Sequence, residues 1–236
     1  MSAAADISRE GLRAVLLDAG NTVVFLDMEA ICEIVAARGV TLEASALWRA
    51  EAEAKRRYEA LLARDAPDHE AGWTLYMATL LEAAGVPNAR ARELVPSIRA
   101  SHDGHNLWRR VPAGLPDALD RLRAAGLATG IVSNSEGGIG DLLAEVGLAS
   151  RFDVIVDSHL EGVAKPDPEI FRRAVARLGV RADEAIHAGD VLGVDVVGAR
   201  AAGLAAVLVD PRDDYPHLVD VARVSSVVEL VARLLG

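Results

Sequence analysis

In this 236-residue chain, three polar sites each follow directly on a short apolar run. They are Asp18 after residues 14–17, Ser133-Asn134 after residues 128–132, and Gly189-Asp190 after residues 185–188. A carboxylate placed where a strand releases the chain serves as a nucleophile at phosphorus or carbon when a metal ion and donors neutralise the opposing charge. Taken alone, Asp18 reads equally well as the opening of a turn or a helix cap. Asp190, with Asp195 five residues on, shifts that reading. Mg²⁺ takes hard oxygen ligands in octahedral geometry, usually one or two carboxylates with water and substrate phosphate. Asp18 and Asp190 supply such carboxylates, with a backbone carbonyl from the Asp18 loop. Asp195 is placed to reach the metal through water or to pair with Lys165. An N-cap role for Asp190, ahead of a helix starting near Val191, explains Asp190 alone but not the group.

Ser133-Asn134 brings a hydroxyl and backbone N–H groups ahead of an expected helix, which suits an anion. A routine Ser/Asn cap accounts for the pair as well. Lys165 lies in Lys165-Pro166-Asp167-Pro168, where proline fixes its own φ and restricts the residue before it. An ammonium held there offsets the repulsion between Asp18 and a phosphate. Lys55 and Lys165 are the only lysines, so a solvated surface role for Lys165 is the weaker reading.

The elements that must position these residues alternate. Residues 115–125 predict an amphipathic helix ended by Gly126, and 128–132 a buried strand. A helix over 136–146, a short strand over 154–156 and a helix over 168–178 follow. Then come a strand over 185–188, a helix over 191–202 and a strand over 205–209. Apolar strands alternating with Gly-stopped helices indicate an α/β fold with a doubly wound parallel sheet, completed by the first strand at 14–17. Ligands of such sheets bind beyond the carboxyl ends of the strands, where all three polar sites fall.

Residues 27–105 have a different texture. Apolar residues recur at helical spacing in Leu47-Trp48, Tyr58, Leu61-Leu62, Leu75 and Leu80-Leu81, with no strand-like run. Turn signals at Gly39, Pro67, Gly85-Val86-Pro87 and Pro96 divide the stretch into several helices. The expected organisation is an α/β core of residues 1–25 and 112–236 with an all-helical cap, 26–111, inserted after the first strand.

Hydrophobic residues make up 51% of the chain and the formal net charge is −10, which implies a packed core and an acidic surface. Such a chain is a poor general binder of nucleic acid, whose backbone demands clustered Lys and Arg. Small anionic substrates remain compatible, because a metal and a few local cations outweigh the global charge. The single cysteine, Cys32, excludes an internal disulfide or thiolate cluster and points to a reducing compartment. Acidic residues precede any apolar stretch at the N-terminus, so no signal peptide is expected. No apolar run reaches membrane-spanning length. A cytoplasmic location without a membrane partner is expected, and no pattern speaks to oligomeric state.

Together the segments LLDAGNT, IVSNS, GVAKPDPEIF and HAGDVLGVDVVGARAAG resemble, in order, the four motifs of the haloacid dehalogenase-like hydrolase superfamily. The resemblance spans residues 13–209 and favours phosphatase-type members with a small helical cap. It implies a covalent aspartyl intermediate on Asp18 and a transferring group held by Ser133 and Lys165. It also implies Mg²⁺ on Asp18, Asp190 and the Gly20 carbonyl, with Asp195 in support. Phosphatase members usually carry D-x-D, the second Asp moving the proton; here that position is Gly20. A positioned proton-transfer group contributes about 10²–10⁴-fold.

The resemblance leaves several chemistries open. A phosphatase with Gly20 would draw its proton from water, substrate or a cap histidine such as His69, His102 or His105, and would favour good leaving groups. Packing or surface roles explain these histidines as well. Dehalogenases also lack the second Asp but tend to lose the metal-binding Asp, which this chain keeps. Phosphonate hydrolases use a cap lysine; Lys55 is the only one, on what reads as a solvated helix face. A ligand-binding protein without turnover is the non-enzymatic alternative, supported by Gly20 alone. Trp108-Arg109-Arg110 reads as an amphipathic helix end or a contact for an anionic substrate.

Overall fold

The computed structural model describes residues 7–62, 64 and 69–236, excepting the side chain of His69. Two compact units share the chain: one runs to Phe25 and resumes at Arg110, and the other comprises Leu26–Arg109.

The first unit is built on a six-stranded sheet. β1 (Ala14–Leu17), β4 (Ala128–Ser133), β5 (Val154–Asp157), β6 (Ala185–Gly189), β7 (Ala205–Val209) and β8 (Ala222–Val224) lie in the order β5-β4-β1-β6-β7-β8, every neighbouring pair parallel. β1 is buried along its whole length, as its unbroken AVLL run requires of a central strand. α8 (Pro168–Leu178) and α9 (Val197–Ala201) pack on one face. Their Phe171, Ala174 and Ala199 share a core with Ala14, Leu16, Val132 and Val156. α5 (Leu115–Ala124) packs against β4 and against α10 (Val227–Leu235). The chain leaves β1 for β4 and β5 on one side and for β6, β7 and β8 on the other, so strand order reverses around β1.

Register brings the polar sites level. Leu17 is opposite both Ile131 and Ala188, so Asp18, Val132 and Gly189 stand side by side, with Ser133 and Asp190 one residue beyond.

Among its described residues the second unit holds four helices, α1 (Met28–Ala36), α2 (Ala44–Leu62), α3 (His69–Ala83) and α4 (Asn88–Gly104). Its core includes Ile31, Leu47, Met77, Leu80, Leu94 and Ile98, all essentially inaccessible. Asp27 caps α1 by accepting the Ala30 N–H at 3.2 Å. Where the chain crosses between units, β2 (Phe25–Leu26) and β3 (Trp108–Arg110) pair as a two-stranded ribbon.

Several local expectations are corrected. Pro96 does not end a helix; it lies inside α4, whose buried Ala91, Leu94, Val95 and Ile98 flank it on both sides. Burial of that stripe offsets a proline cost of about 3 kcal/mol. Pro67 lies outside the described residues. Trp108-Arg109-Arg110 is strand rather than a helix end. The helix expected over 136–146 is α6 (Ile139–Glu145), delayed because Gly137 takes φ +96°. The helix expected over 191–202 divides into a π-helical turn, Leu192–Val196, and α9. Lys55 is 3% exposed, not solvated. It sits one turn from buried Glu51, which accepts the Tyr76 hydroxyl at 2.9 Å, so its burial has an electrostatic rationale.

Candidate active site

Asp18 takes its place from the sheet and from the turn after it. Its backbone N–H donates to Ala188 O at 2.9 Å, the last rung joining β1 to β6. The chain then folds back, with Val23 N–H and Val24 N–H both donating to Ala19 O at 2.9 and 3.0 Å. Asn21 N–H closes the loop on Val24 O at 2.8 Å. Asn21 has φ +52°, a left-handed conformation that asparagine tolerates better than most residues. The result is a buried carboxylate at the strand end.

Lys165 comes from a loop fastened at both ends. Before it, Glu161 of α7 (Ser158–Glu161) accepts from Arg173 at 3.2 Å and Arg177 at 2.7 Å, both on α8. After it, Asp167 caps α8 by accepting the Glu169 N–H at 2.9 Å. Asn134 clamps Lys165 itself: its amide nitrogen donates to Lys165 O at 2.9 Å and its amide oxygen accepts Lys165 N–H at 2.8 Å. The Lys165–Pro166 peptide is cis. A Cβ at Gly198 would lie 2.9 Å from the Pro166 backbone, so a glycine lets α9 approach this loop.

These constraints deliver the lysine to the carboxylates. Lys165 Nζ lies 2.5 Å from Asp18 Oδ1 and 2.8 Å from Asp195 Oδ1. Asp195 belongs to the π-helical turn, a distortion frequent at functional sites. Its Oδ2 accepts Val191 N–H at 2.9 Å, and its Oδ1 lies 3.0 Å from His187 Nε2. A Cβ on Gly189 would stand 2.2 Å from Asp195 Cγ, so only glycine admits that carboxylate. Asp190 is buried beside them and is not a helix cap; the position before the π-helical turn is Val191.

The electrostatics follow from burial. Desolvation pushes the Asp18 carboxyl up to about 7; Lys165 pulls it down, while Asp195 and Asp190 push it up. Asp195 is equally desolvated, yet Lys165 and the His187 hydrogen bond outweigh that and hold it well below the usual carboxylate range. Burial disfavours the charged form of Lys165, but Asp18 and Asp195 more than compensate and raise its pKa. Asp18, Asp190 and Asp195 offer carboxylate oxygens within 4.8 Å of one another, all buried. With all three carboxylates ionised and one ammonium, two negative charges would remain; a divalent cation would balance them, and the all-oxygen donor set suits a hard one.

Of the other residues singled out in the sequence, Ser133 is buried at the end of β4, opposite Asp157. The anion reading of the helix after it is narrowed, because Ile139 N–H at the start of α6 already donates to Asp157 Oδ2 at 3.4 Å. Asn134 spends its amide on Lys165. Gly20 follows Asp18 by two residues and forms a bridge with Val24. His102 is a packing residue: its Nδ1 accepts Leu107 N–H at 3.1 Å, and its ring stands 5.5 Å from Trp73 and 5.8 Å from Trp108. His105 is exposed, and the side chain of His69 lies outside the described residues. Three contributors had not been read from the sequence: His187, Asp157 and Gly198. A histidine inside the apolar strand AIHAG was the one visible signal.

The chain is 37% identical over 213 residues to a phosphoserine phosphatase of Thermus thermophilus, covering 84% of this chain and 81% of that one. It is 35% identical over 126 residues to haloacid dehalogenase-like hydrolase domain-containing protein 3 of Mus musculus, spanning 53% of this chain and half of that relative's length. Among solved structures, the putative HAD-hydrolase YfnB of Bacillus subtilis, crystallised with magnesium, superposes with a TM-score of 0.71 at 20% identity. That alignment covers 95% of this chain and 99% of the other. Among the described residues, no helix is long and apolar enough to cross a membrane. Residues 12–203 match the family described as haloacid dehalogenase-like hydrolase, and the chain belongs to that family.

Proposed function

We propose that this protein is a Mg²⁺-dependent phosphatase that hydrolyses a small phosphorylated metabolite through an aspartyl-phosphate on Asp18. The observation that carries this reading is the contact of Lys165 Nζ with Asp18 Oδ1 at 2.5 Å, beside the buried carboxylates of Asp190 and Asp195. The two oxygens of Asp195 already take hydrogen bonds from Lys165, His187 and Val191. Asp18 and Asp190, with the Gly20 carbonyl, are therefore the groups we assign to the ion. When bound, Mg²⁺ supplies positive charge against which an anionic phosphoryl group can approach an anionic nucleophile.

The residues do the rest. An Asp18 carboxylate oxygen attacks phosphorus and the bond to the leaving oxygen breaks. Lys165 aims Asp18 and draws its carboxyl down against burial, and with the Ser133 hydroxyl and the Asn134 N–H it binds the phosphoryl oxygens. The leaving oxygen takes its proton from water or from the substrate, because Gly20 has no side chain to provide one. Water then attacks the phosphorus of the acyl phosphate, phosphate departs, and the Asp18 carboxylate is restored.

The helical unit, Leu26–Arg109, is the part we assign to substrate selection, as a cap. Likeness to the phosphoserine phosphatase over most of both chains makes O-phosphoserine the first physiological substrate to test. Retention of Asp190 and Asp195 supports phosphoryl chemistry over metal-free dehalogenation. The test is release of phosphate from p-nitrophenyl phosphate, acetyl phosphate and O-phosphoserine, with Mg²⁺ and with EDTA. Mg²⁺-dependent release that disappears in Asp18→Asn is expected. Turnover of 2-haloacids without metal would overturn the reading, and no turnover above the Asp18→Asn control would favour a binding protein.

A further inference from the structure

We propose that His187 is a positioning residue that fixes Asp195 by donating from Nε2, and thereby turns Lys165 onto Asp18. The inference rests on the reading of Asp18 and Lys165 as reacting groups and extends it one layer deeper into the fold. His187 sits in the middle of β6 with no exposed surface, three residues before Asp190. Its Nε2 lies 3.0 Å from Asp195 Oδ1, the same oxygen that receives Lys165 Nζ at 2.8 Å. With Val191 N–H on Oδ2, Asp195 is held from both oxygens. A carboxylate gripped in this way offers the ammonium one direction, and Lys165 spends a further proton on Asp18 Oδ1 at 2.5 Å.

The tautomer follows from what surrounds the ring. An ionised Asp195 only accepts, so the proton between the two must be on Nε2. Nδ1 is buried and meets no hydrogen-bond partner. A neutral ring with its lone pair at Nδ1 leaves an acceptor unpaired, which costs less than stranding an N–H. Burial, and secondarily the Lys165 charge, holds the imidazole below its ordinary pKa against the pull of Asp195, in keeping with that neutral form. Phe171 fixes the ring plane: the two rings stand edge to face, with centroids 4.9 Å apart at 75°. Phe171 is wedged in turn, since a Cβ on Gly198 would lie 2.9 Å from its Cε2. The same glycine admits the Lys165–Pro166 loop, so one close approach serves both sides of the ion pair.

The test uses the Mg²⁺-loaded protein and two variants. His187→Leu fills the space without a donor, and His187→Gln restores an N–H near the Nε2 position. For His187→Leu, kcat is expected to fall roughly ten- to hundredfold, the value of one hydrogen bond to a charged group. KM for p-nitrophenyl phosphate is expected to stay within about twofold, because the lost effect lies in the reacting state rather than in binding. His187→Gln is expected to recover most of the loss. Unchanged kcat in His187→Leu, or equal loss in both variants, overturns the proposal. A second measurement needs neither variant nor substrate: long-range ¹H–¹⁵N correlation of the histidine rings in the wild-type protein. A proton on His187 Nε2 is expected, and one on Nδ1 alone overturns the assignment. Absence of any phosphatase turnover would count against Asp18 as nucleophile and leave this ring measurement decisive for His187.

Discussion

Lys165 and Asp18 stand 147 residues apart in sequence and 2.5 Å apart in space, joined by a contact that is almost wholly shielded from water. Asp195 holds the lysine from the other side at 2.8 Å. The single ammonium thus ties the end of β1 to the turn after β6.

Removing that ammonium should therefore cost both stability and turnover. Lys165→Met keeps the stem and deletes the charge, leaving buried carboxylates facing one another. Breaking a buried pair from one side costs about 3–5 kcal/mol. Urea unfolding in EDTA is expected to show a loss of that order, partly recovered by Mg²⁺. Phosphate release is expected to fall at least about 10²-fold.

The raised pKa of Asp18 has a consequence for the metal-free protein. Burial lifts its carboxyl to about 7, so between about pH 4 and 7 the folded state holds a proton that the unfolded state has released. The contribution of Asp18 to stability is then present at low pH and is lost as pH rises through that window. Asp195, held low, acts in the opposite sense and at lower pH, and His187, also held low, opposes Asp18 within the window. Comparison with Asp18→Asn isolates the contribution of this carboxyl. In EDTA, the stability of wild type relative to Asp18→Asn is expected to decline from pH 4 to 7, and Mg²⁺ is expected to flatten or reverse that decline.

In the proposed mechanism, Gly20 stands where a second carboxylate would protonate the leaving group. Gly20→Asp is expected to raise kcat for alkyl phosphates such as O-phosphoserine more than for p-nitrophenyl or acetyl phosphate, whose leaving groups need no proton. Equal gains across the series would mean that another group already supplies it.

Asn134 separates positioning from binding. Its amide grips the Lys165 backbone at 2.8 and 2.9 Å, which leaves its backbone N–H as the part we propose for phosphate. Asn134→Ala is expected to lower kcat by about tenfold or more while KM changes little. A rise in KM at constant kcat would show that the amide binds substrate instead.

Much of the sheet was legible because its strands are apolar runs closed by a polar or glycine residue. Ala14–Leu17 and Ala205–Val209 are such runs, and the amphipathic Pro168–Leu178 is bracketed by Asp167 and Gly179. β8 escaped because three residues with Arg223 at the centre give no alternation to read. α10, despite its Ser226 cap, follows this unreadable strand and so had no strand–helix alternation to mark it. In the site, position at a strand end singled out Asp18, Ser133 and Asp190. The part played by Asn134 was not legible, because an amide that binds backbone looks like one that binds ligand. Lys55 looked solvated because its neighbours Arg56 and Arg57 are exposed, yet α2 turns Lys55 inward beside Glu51. His187 stood out only as a histidine in an apolar strand; its partner became visible when the π-helical turn placed Asp195 Oδ1 3.0 Å from Nε2.

The most direct test of Asp18 as nucleophile is acid quenching of the wild-type protein during turnover of O-phosphoserine or acetyl phosphate with Mg²⁺. Mass analysis of the tryptic peptide spanning residues 14–38 then reads the outcome. One added phosphoryl group, located on Asp18 and absent in Asp18→Asn, is the expected result. Mg²⁺-dependent phosphate release that continues in Asp18→Asn, with no phosphoryl group on that peptide at any quench time, would contradict it.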